Sequence, residues 1–145
     1  MHGRNFRGLL ADNNLEGYVP YLRRLIGKLG LWDVIKDLGL KLKTLSDLGT
    51  DKGLDDRTLW KFCQAEQYVL ITDNRNKDGP DSLETTLRDS WREGHLPVIT
   101  LASKDDFEHD PDYAKRVAGD IAEILFGIAV EQQYRDRPRL WVPLP

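Results

Sequence analysis

Two aspartates stand immediately after short apolar runs: Asp12 follows Phe6-Arg7-Gly8-Leu9-Leu10-Ala11, and Asp73 follows Tyr68-Val69-Leu70-Ile71-Thr72. Each opens a polar segment, Asp12-Asn13-Asn14 and Asp73-Asn74-Arg75-Asn76, built from residue types that favour turns and helix N-caps. An aspartate at the carboxyl end of a strand in an open α/β sheet lies where ligand sites gather. If the two strands are neighbours, two carboxylates meet there, and such a pair either repels or shares a divalent cation through its hard oxygen ligands. Taken singly, either aspartate is as readily a cap; the pairing is what points to chemistry. Asp55 and Asp56 are candidates for a third carboxylate, although an acid in a helix's first turn also complements the helix dipole. Asp78 and Asp81 follow as further candidates, with Asp81 better placed as a cap.

Other reactive residue types carry less. Arg75, Lys77, Arg88 and Arg92 have the charge to position phosphates, and they equally suit a solvated surface. Trp60 and Trp91 fall on helical apolar stripes, where core packing outranks base stacking. His2, His95 and His109 are scattered without zinc-like spacing, and Cys63 reads as a small buried hydrophobe. The chain has neither a Gly-x-Gly-x-x-Gly fingerprint nor a Gly-Lys-Ser/Thr phosphate loop, so a dinucleotide or nucleoside triphosphate site lacks its usual backbone cradle.

The elements that must position these residues alternate between strand-like and helical patterns, the sequence form of βαβ units. Strand one is expected to end at Asp12. Val19, Leu22, Leu25, Ile26 and Leu29 recur at helical spacing, and Leu31, Val34, Ile35 and Leu38 form a second short stripe closed by Gly39. Leu40 to Leu45 alternates as strand two; a helix runs from Asp55-Asp56 to Gln67; Tyr68 to Thr72 is a buried third strand. Asn74 to Pro80 is a loop by its turn chemistry, after which Asp81 and Glu84 resemble a capping box for a helix carrying Leu83, Leu87 and Trp91. Leu96 to Leu101 is strand four, Asp110-Pro111 starts the longest helix, and Arg139 to Val142 adds an edge strand. The expected architecture is a three-layer α/β/α domain spanning 1–145, with a mostly parallel sheet of four to five strands.

The totals fit one domain of 145 residues. A net charge of −3 and a pI near 5.6 argue against a protein that grips nucleic acid through bulk positive charge. They leave room for an enzyme whose carboxylates hold metal ions. The longest apolar stretch, Ile124 to Val130, is far short of the roughly 20 residues of a membrane span. A single cysteine and a start that leads directly into a strand-like run suggest a cytoplasmic protein.

Three segments in order, Leu10-Ala11-Asp12-Asn13-Asn14-Leu15, Gly53-Leu54-Asp55-Asp56-Arg57-Thr58-Leu59 and Val69-Leu70-Ile71-Thr72-Asp73-Asn74, together resemble a PIN-like domain of the compact kind found in many bacterial proteins. Each motif is short, and the specificity lies in the series. The resemblance implies three or four acidic residues around Mg²⁺ or Mn²⁺ and cleavage of RNA or single-stranded nucleic acid, with Asp12, Asp56 and Asp73 as catalytic metal ligands and Asn13, Asn74, Arg75 and Lys77 near the substrate. It also implies a toxin of a toxin-antitoxin pair as one setting, with an antitoxin-like protein partner or a homodimer. One departure stands out: such domains usually show Thr, any residue, then Asp after the third strand, whereas here Asn74 occupies the acidic place. That leaves open a module that binds a protein partner or nucleic acid without cutting it.

Overall fold

The computed structural model describes residues 5–49, 53–73 and 82–145. Gly8–Ala11 form strand β1, a 3-10 turn covers Asn13–Tyr18, and helices α1 (Val19–Lys28) and α2 (Trp32–Asp37) lead to β2 (Lys41–Thr44). Then follow α3 (Asp56–Glu66), β3 (Tyr68–Thr72), α4 (Leu83–Ser90), β4 (Val98–Leu101), α5 (Lys104–His109), α6 (Pro111–Glu131) and β5 (Arg139–Val142). The strands make one 5-stranded sheet in the order β2-β1-β3-β4-β5, and every pairing is parallel. The expected three-layer α/β/α architecture is what forms. No helix among the described residues is long and apolar enough to cross a membrane.

Period-two alternation divides the strands between two cores. Leu9, Ala11, Val69, Ile71, Ile99, Leu101, Leu140 and Val142 face a first layer built from α1, α2, α5 and α6. Leu10, Tyr68, Leu70 and Val98 face a second layer, in which Leu59, Trp60 and Cys63 of α3 meet Leu83 and Leu87 of α4. Both faces of β1 and β3 are covered, so these strands are buried along their whole length and largely apolar.

The crossovers are not all of one hand. From β1 to β2 the chain moves one way across the sheet with its helices in the first layer; from β2 to β3 and from β3 to β4 it moves the other way with α3 and α4 in the second. Those three connections share a hand. From β4 to β5 the chain continues in that same direction, yet α5 and α6 lie in the first layer, so this connection has the opposite hand. Since about 98% of parallel crossovers are right-handed, β4 to β5 is the exception. Its cause is the broad apolar face of α6, which packs on α1 through Val117, Ile121, Leu125 and their neighbours. The return from α6 is pinned: Gln132 ends the helix at φ 55°, the Gln133 amide donates to the Gly127 carbonyl at 3.0 Å, and the Tyr134 ring lies against Gly127 where a Cβ would come within 2.7 Å. Gly94 and Arg135 then join the return to the loop before β4, through N–H···O bonds of 2.9 Å and 3.0 Å.

Two helix starts differ from the expected ones. The cap of α4 is Ser82, whose hydroxyl accepts from the Thr85 amide, so the capping pair sits one residue later than Asp81 and Glu84 suggested; Asp81 itself lies outside the described residues. The helix α5 was not expected at all. Its sequence, Lys104 to His109, is charged around a single apolar residue, Phe107, which gives no periodicity to read.

Gly8 shows how tightly β1 and β2 approach. It sits at φ +134°, and a Cβ there would lie 2.1 Å from the Lys41 carbonyl oxygen. Gly8→Ala is therefore expected to cost about 3 kcal/mol, measured by urea unfolding, because both the backbone angle and the strand contact must change.

Candidate active site at the carboxyl edge

The strand order reverses between β1 and β3: the chain leaves β1 toward β2 on one side and reaches β3 on the other. In open α/β sheets this reversal opens a crevice at the carboxyl ends of the two strands, because the connections diverge to opposite faces. Asp12 follows β1 and Asp73 follows β3, so both stand at that point. The parallel register pairs Ala11 with Ile71, and the Asp12 amide donates to the Ile71 carbonyl at 3.0 Å, which sets Asp12 beside Thr72.

Asp12 is only 9% exposed and its carboxylate is held from two sides. Oδ1 accepts the Asn14 amide at 2.9 Å, making Asp12 the cap of the 3-10 turn, and Oδ2 accepts the Thr72 hydroxyl. The cap and site readings of this residue are thus compatible: one oxygen serves the turn, the other faces β3. Burial pushes its pKa above the ordinary carboxylate value, the hydrogen bonds from Thr72 and Asn14 pull it back, and the nearby charge of Asp73 raises it further. Thr72 is a partner of Asp12 that the sequence alone does not reveal. Its side chain sits in a buried strand, and only the register of β1 against β3 brings its hydroxyl to Asp12.

Asp73 is half-buried, and its Oδ1 is enclosed without a hydrogen-bond partner among the described residues. The first turn of α3 lies at the same sheet edge. Asp55 is the cap of α3, accepting the Thr58 amide at 2.7 Å, and those bonds lower its pKa. Asp56 turns Oδ2 to the Leu83 amide at 3.1 Å and so ties the start of α3 to the start of α4. Asn13 is exposed in the 3-10 turn. Asn74, Arg75, Lys77 and Asp78 lie outside the described residues. Among the described residues no three His, Cys, Asp or Glu side chains gather in a metal-holding group.

The remaining candidates fill other roles. Trp60 is buried in the second core with its ring 5.5 Å from that of His95; Trp91 is half-buried and donates its indole N–H to the Leu96 carbonyl at 3.3 Å. His109 faces Asp105 one turn earlier, and Arg88 lies against Asp89. Cys63 is buried, and enclosure lifts its thiol pKa well above the ordinary value. A groove of about 520 Å³ opens at the opposite end of the sheet, where Glu93 and Asp136 offset Arg135 and Arg137. Comparison of the chain with protein-family models, with curated proteins and with solved structures finds no match.

Asp12 leaves a signature in stability. Because burial makes it hold its proton more tightly folded than unfolded, its contribution is most favourable below the ordinary carboxylate pKa of 3.8 and is lost as pH rises through the raised folded value. Asp12→Asn keeps the side chain's shape and removes the buried charge. The variant is expected to melt at a higher temperature than the wild type at pH 7, with the gap closing as the pH falls toward 3.8. Equal melting temperatures across that range would contradict the assigned burial cost.

Proposed function

We propose that this chain is a phosphodiester hydrolase dependent on Mg²⁺ or Mn²⁺, acting on RNA or single-stranded nucleic acid, with Asp12 and Asp73 holding the cation. The observation that carries the reading is the enclosed Oδ1 of Asp73. It has no hydrogen-bond donor among the described residues, and it neighbours a second buried carboxylate at the reversal of strand order. A buried anionic oxygen left without a partner is costly, and a divalent cation relieves both that cost and the repulsion from Asp12. The donor set is carboxylate oxygen, which suits these hard cations. The resemblance of three segments to PIN-like domains supports the same chemistry.

A bound Mg²⁺ or Mn²⁺ supplies a Lewis acid for the attacked phosphate and a more acidic water. The chain's own residues supply orientation. Thr72 and the Asn14 amide fix the Asp12 carboxylate in one position, and Asp56, with one oxygen bound to the Leu83 amide, stands at the edge to which the resemblance assigns a third acid. A buried lone Cys63 suits action in a reducing compartment such as the cytoplasm.

A second reading has its own support. Asn74 occupies a place where the resemblance calls for an acid, and Asp56 already spends an oxygen on α4. Both favour a module that binds nucleic acid or an antitoxin-like protein partner without cutting. Calorimetric titration with Mn²⁺ separates the two. In the hydrolase reading the wild type gives a binding heat that Asp12→Asn lacks, and cleavage of mixed single-stranded RNA and DNA falls by at least about 100-fold in the variant. An absence of Mn²⁺ binding in the wild type, or cleavage indifferent to Asp12→Asn, rejects it.

A further inference from the structure

The helices of the first layer cover the sheet but leave apolar side chains on their own outer surface. Among the described residues the exposed large apolar side chains are Leu29, Val34, Leu38, Phe126, Val130 and Trp141, and the first five lie on α2, on α6 or at the end of α1. Val34 and Phe126 line one groove of about 400 Å³ between α2 and α6, whose lining holds a single charged residue, Glu123. Leu38 stands one turn beyond Val34 and Val130 one turn beyond Phe126, so each rim continues as an apolar strip. Leu29 reaches the same strip, its Cδ1 3.8 Å from where a Cβ at Gly119 would stand. The five side chains are 37% to 50% exposed. Together they leave roughly 350 Å² of apolar surface in water, a patch of the size that marks interaction sites.

The charges that border the patch indicate what covers it. Asp33 and Asp37 precede Val34 and Leu38 on α2 and flank them on the side away from buried Ile35, whereas Lys36 falls on the far side of the helix. On α6, Lys115 shares one stripe with Gly119, Ala122 and Phe126 by helical spacing, and Arg116 lies beside it. Asp33, Asp37, Lys115 and Arg116 are all exposed, and none forms an ion pair among the described residues. A partner of one charge sign would match one border and be repelled by the other. A second copy of this chain matches both. Turned by a two-fold axis that runs along the groove, each copy lays its α2 over the α6 stripe of the other, so that Val34 and Leu38 meet Phe126 and Val130 while the two acids meet the two bases. The apolar centre is about two-thirds of the apolar area in a homodimer interface of roughly 800 Å² per partner, and the methylene stems of Lys115 and Arg116 add to it.

We propose that the α2 and α6 face is an isologous homodimer interface, with Val34 and Phe126 at its centre and the Asp33 and Asp37 border of one copy against the Lys115 and Arg116 border of the other. It does not rest on the hydrolase reading, since neither the groove nor its borders include a residue of the Asp12 and Asp73 edge.

Sedimentation velocity of the full chain between about 1 and about 200 μM tests it, with a species of twice the 16.7 kDa chain mass expected at the upper end. Phe126→Asp, which buries a charge in the interface but not in the folded monomer, is expected to weaken association at least about 100-fold, and thermal melting checks that the variant is folded. Asp37→Lys and Lys115→Glu are each expected to weaken it about 3- to 10-fold, and the double variant to restore it. Both changes suit the dipoles of their helices, Lys near the end of α2 and Glu near the start of α6, so weaker association does not reflect a lost helix. A single-chain mass at every concentration, or a dimer indifferent to Phe126→Asp, overturns the proposal, as does a double variant in which the two losses add. A chain that stays single and gains mass only with a different protein bound at Phe126 assigns the face to that protein and overturns it as well.

Discussion

The parallel pairing of β1 with β3 is the constraint on which the carboxyl edge depends. It sets Asp12 beside Thr72, places Asp73 one residue further along, and puts both acids where the strand order turns back on itself. None of this survives a slip of one residue, because the alternation of the pleat would move Asp12 to the first face and Leu9 to the second. The register is held by fully buried partners on both sides: Leu9 with Val69 toward α1 and α6, Leu10 with Leu70 toward α3 and α4. Gly8 at the start of β1 admits β2 on the opposite side. The site is thus positioned by apolar packing several residues away from any charge.

That placement has a thermodynamic consequence. A carboxylate at the end of a buried strand loses water, and the two hydrogen bonds that Asp12 receives only partly compensate, as the upward direction of its pKa records. Asp73 adds like charge and an oxygen without a donor among the described residues. Around them the rest of the edge is conventionally satisfied, with Asp55 and Ser82 capping their helices and Glu16 accepting the Ser46 amide. Asp73 Oδ1 is the one carboxylate oxygen among the buried polar atoms that lack a hydrogen-bond partner among the described residues; the others include Trp60 Nε1 and Thr86 Oγ1 in the second layer.

Much of this was legible in the sequence. The apolar runs ending on Asp12 and Asp73, the alternation of strand and helix, and the Asp110-Pro111 start of the longest helix are local signals, and the structure has each of them. What could not be read depends on register or on packing between distant segments. Thr72 becomes a partner of Asp12 only once β1 and β3 are aligned. The hand of the last crossover is decided by which layer α6 prefers, and a periodic stripe of apolar residues does not say which face of which sheet it will meet. The short α5 was hidden by its charge, and the Asn74 to Asp81 segment, with Arg75 and Lys77, lies outside the described residues.

The placement of α6 also orders events as the chain is made. The second layer, α3 and α4 on β1, β3 and β4, has all of its parts once β4 has been synthesised. The first layer does not: Leu22, Leu25 and Ile26 of α1 belong to the same core as Val117, Ile121 and Leu125 of α6, which follows β4 in the sequence. On the ribosome the apolar face of α1 therefore waits for α6 to emerge, and apolar surface left uncovered in such an interval favours association over folding.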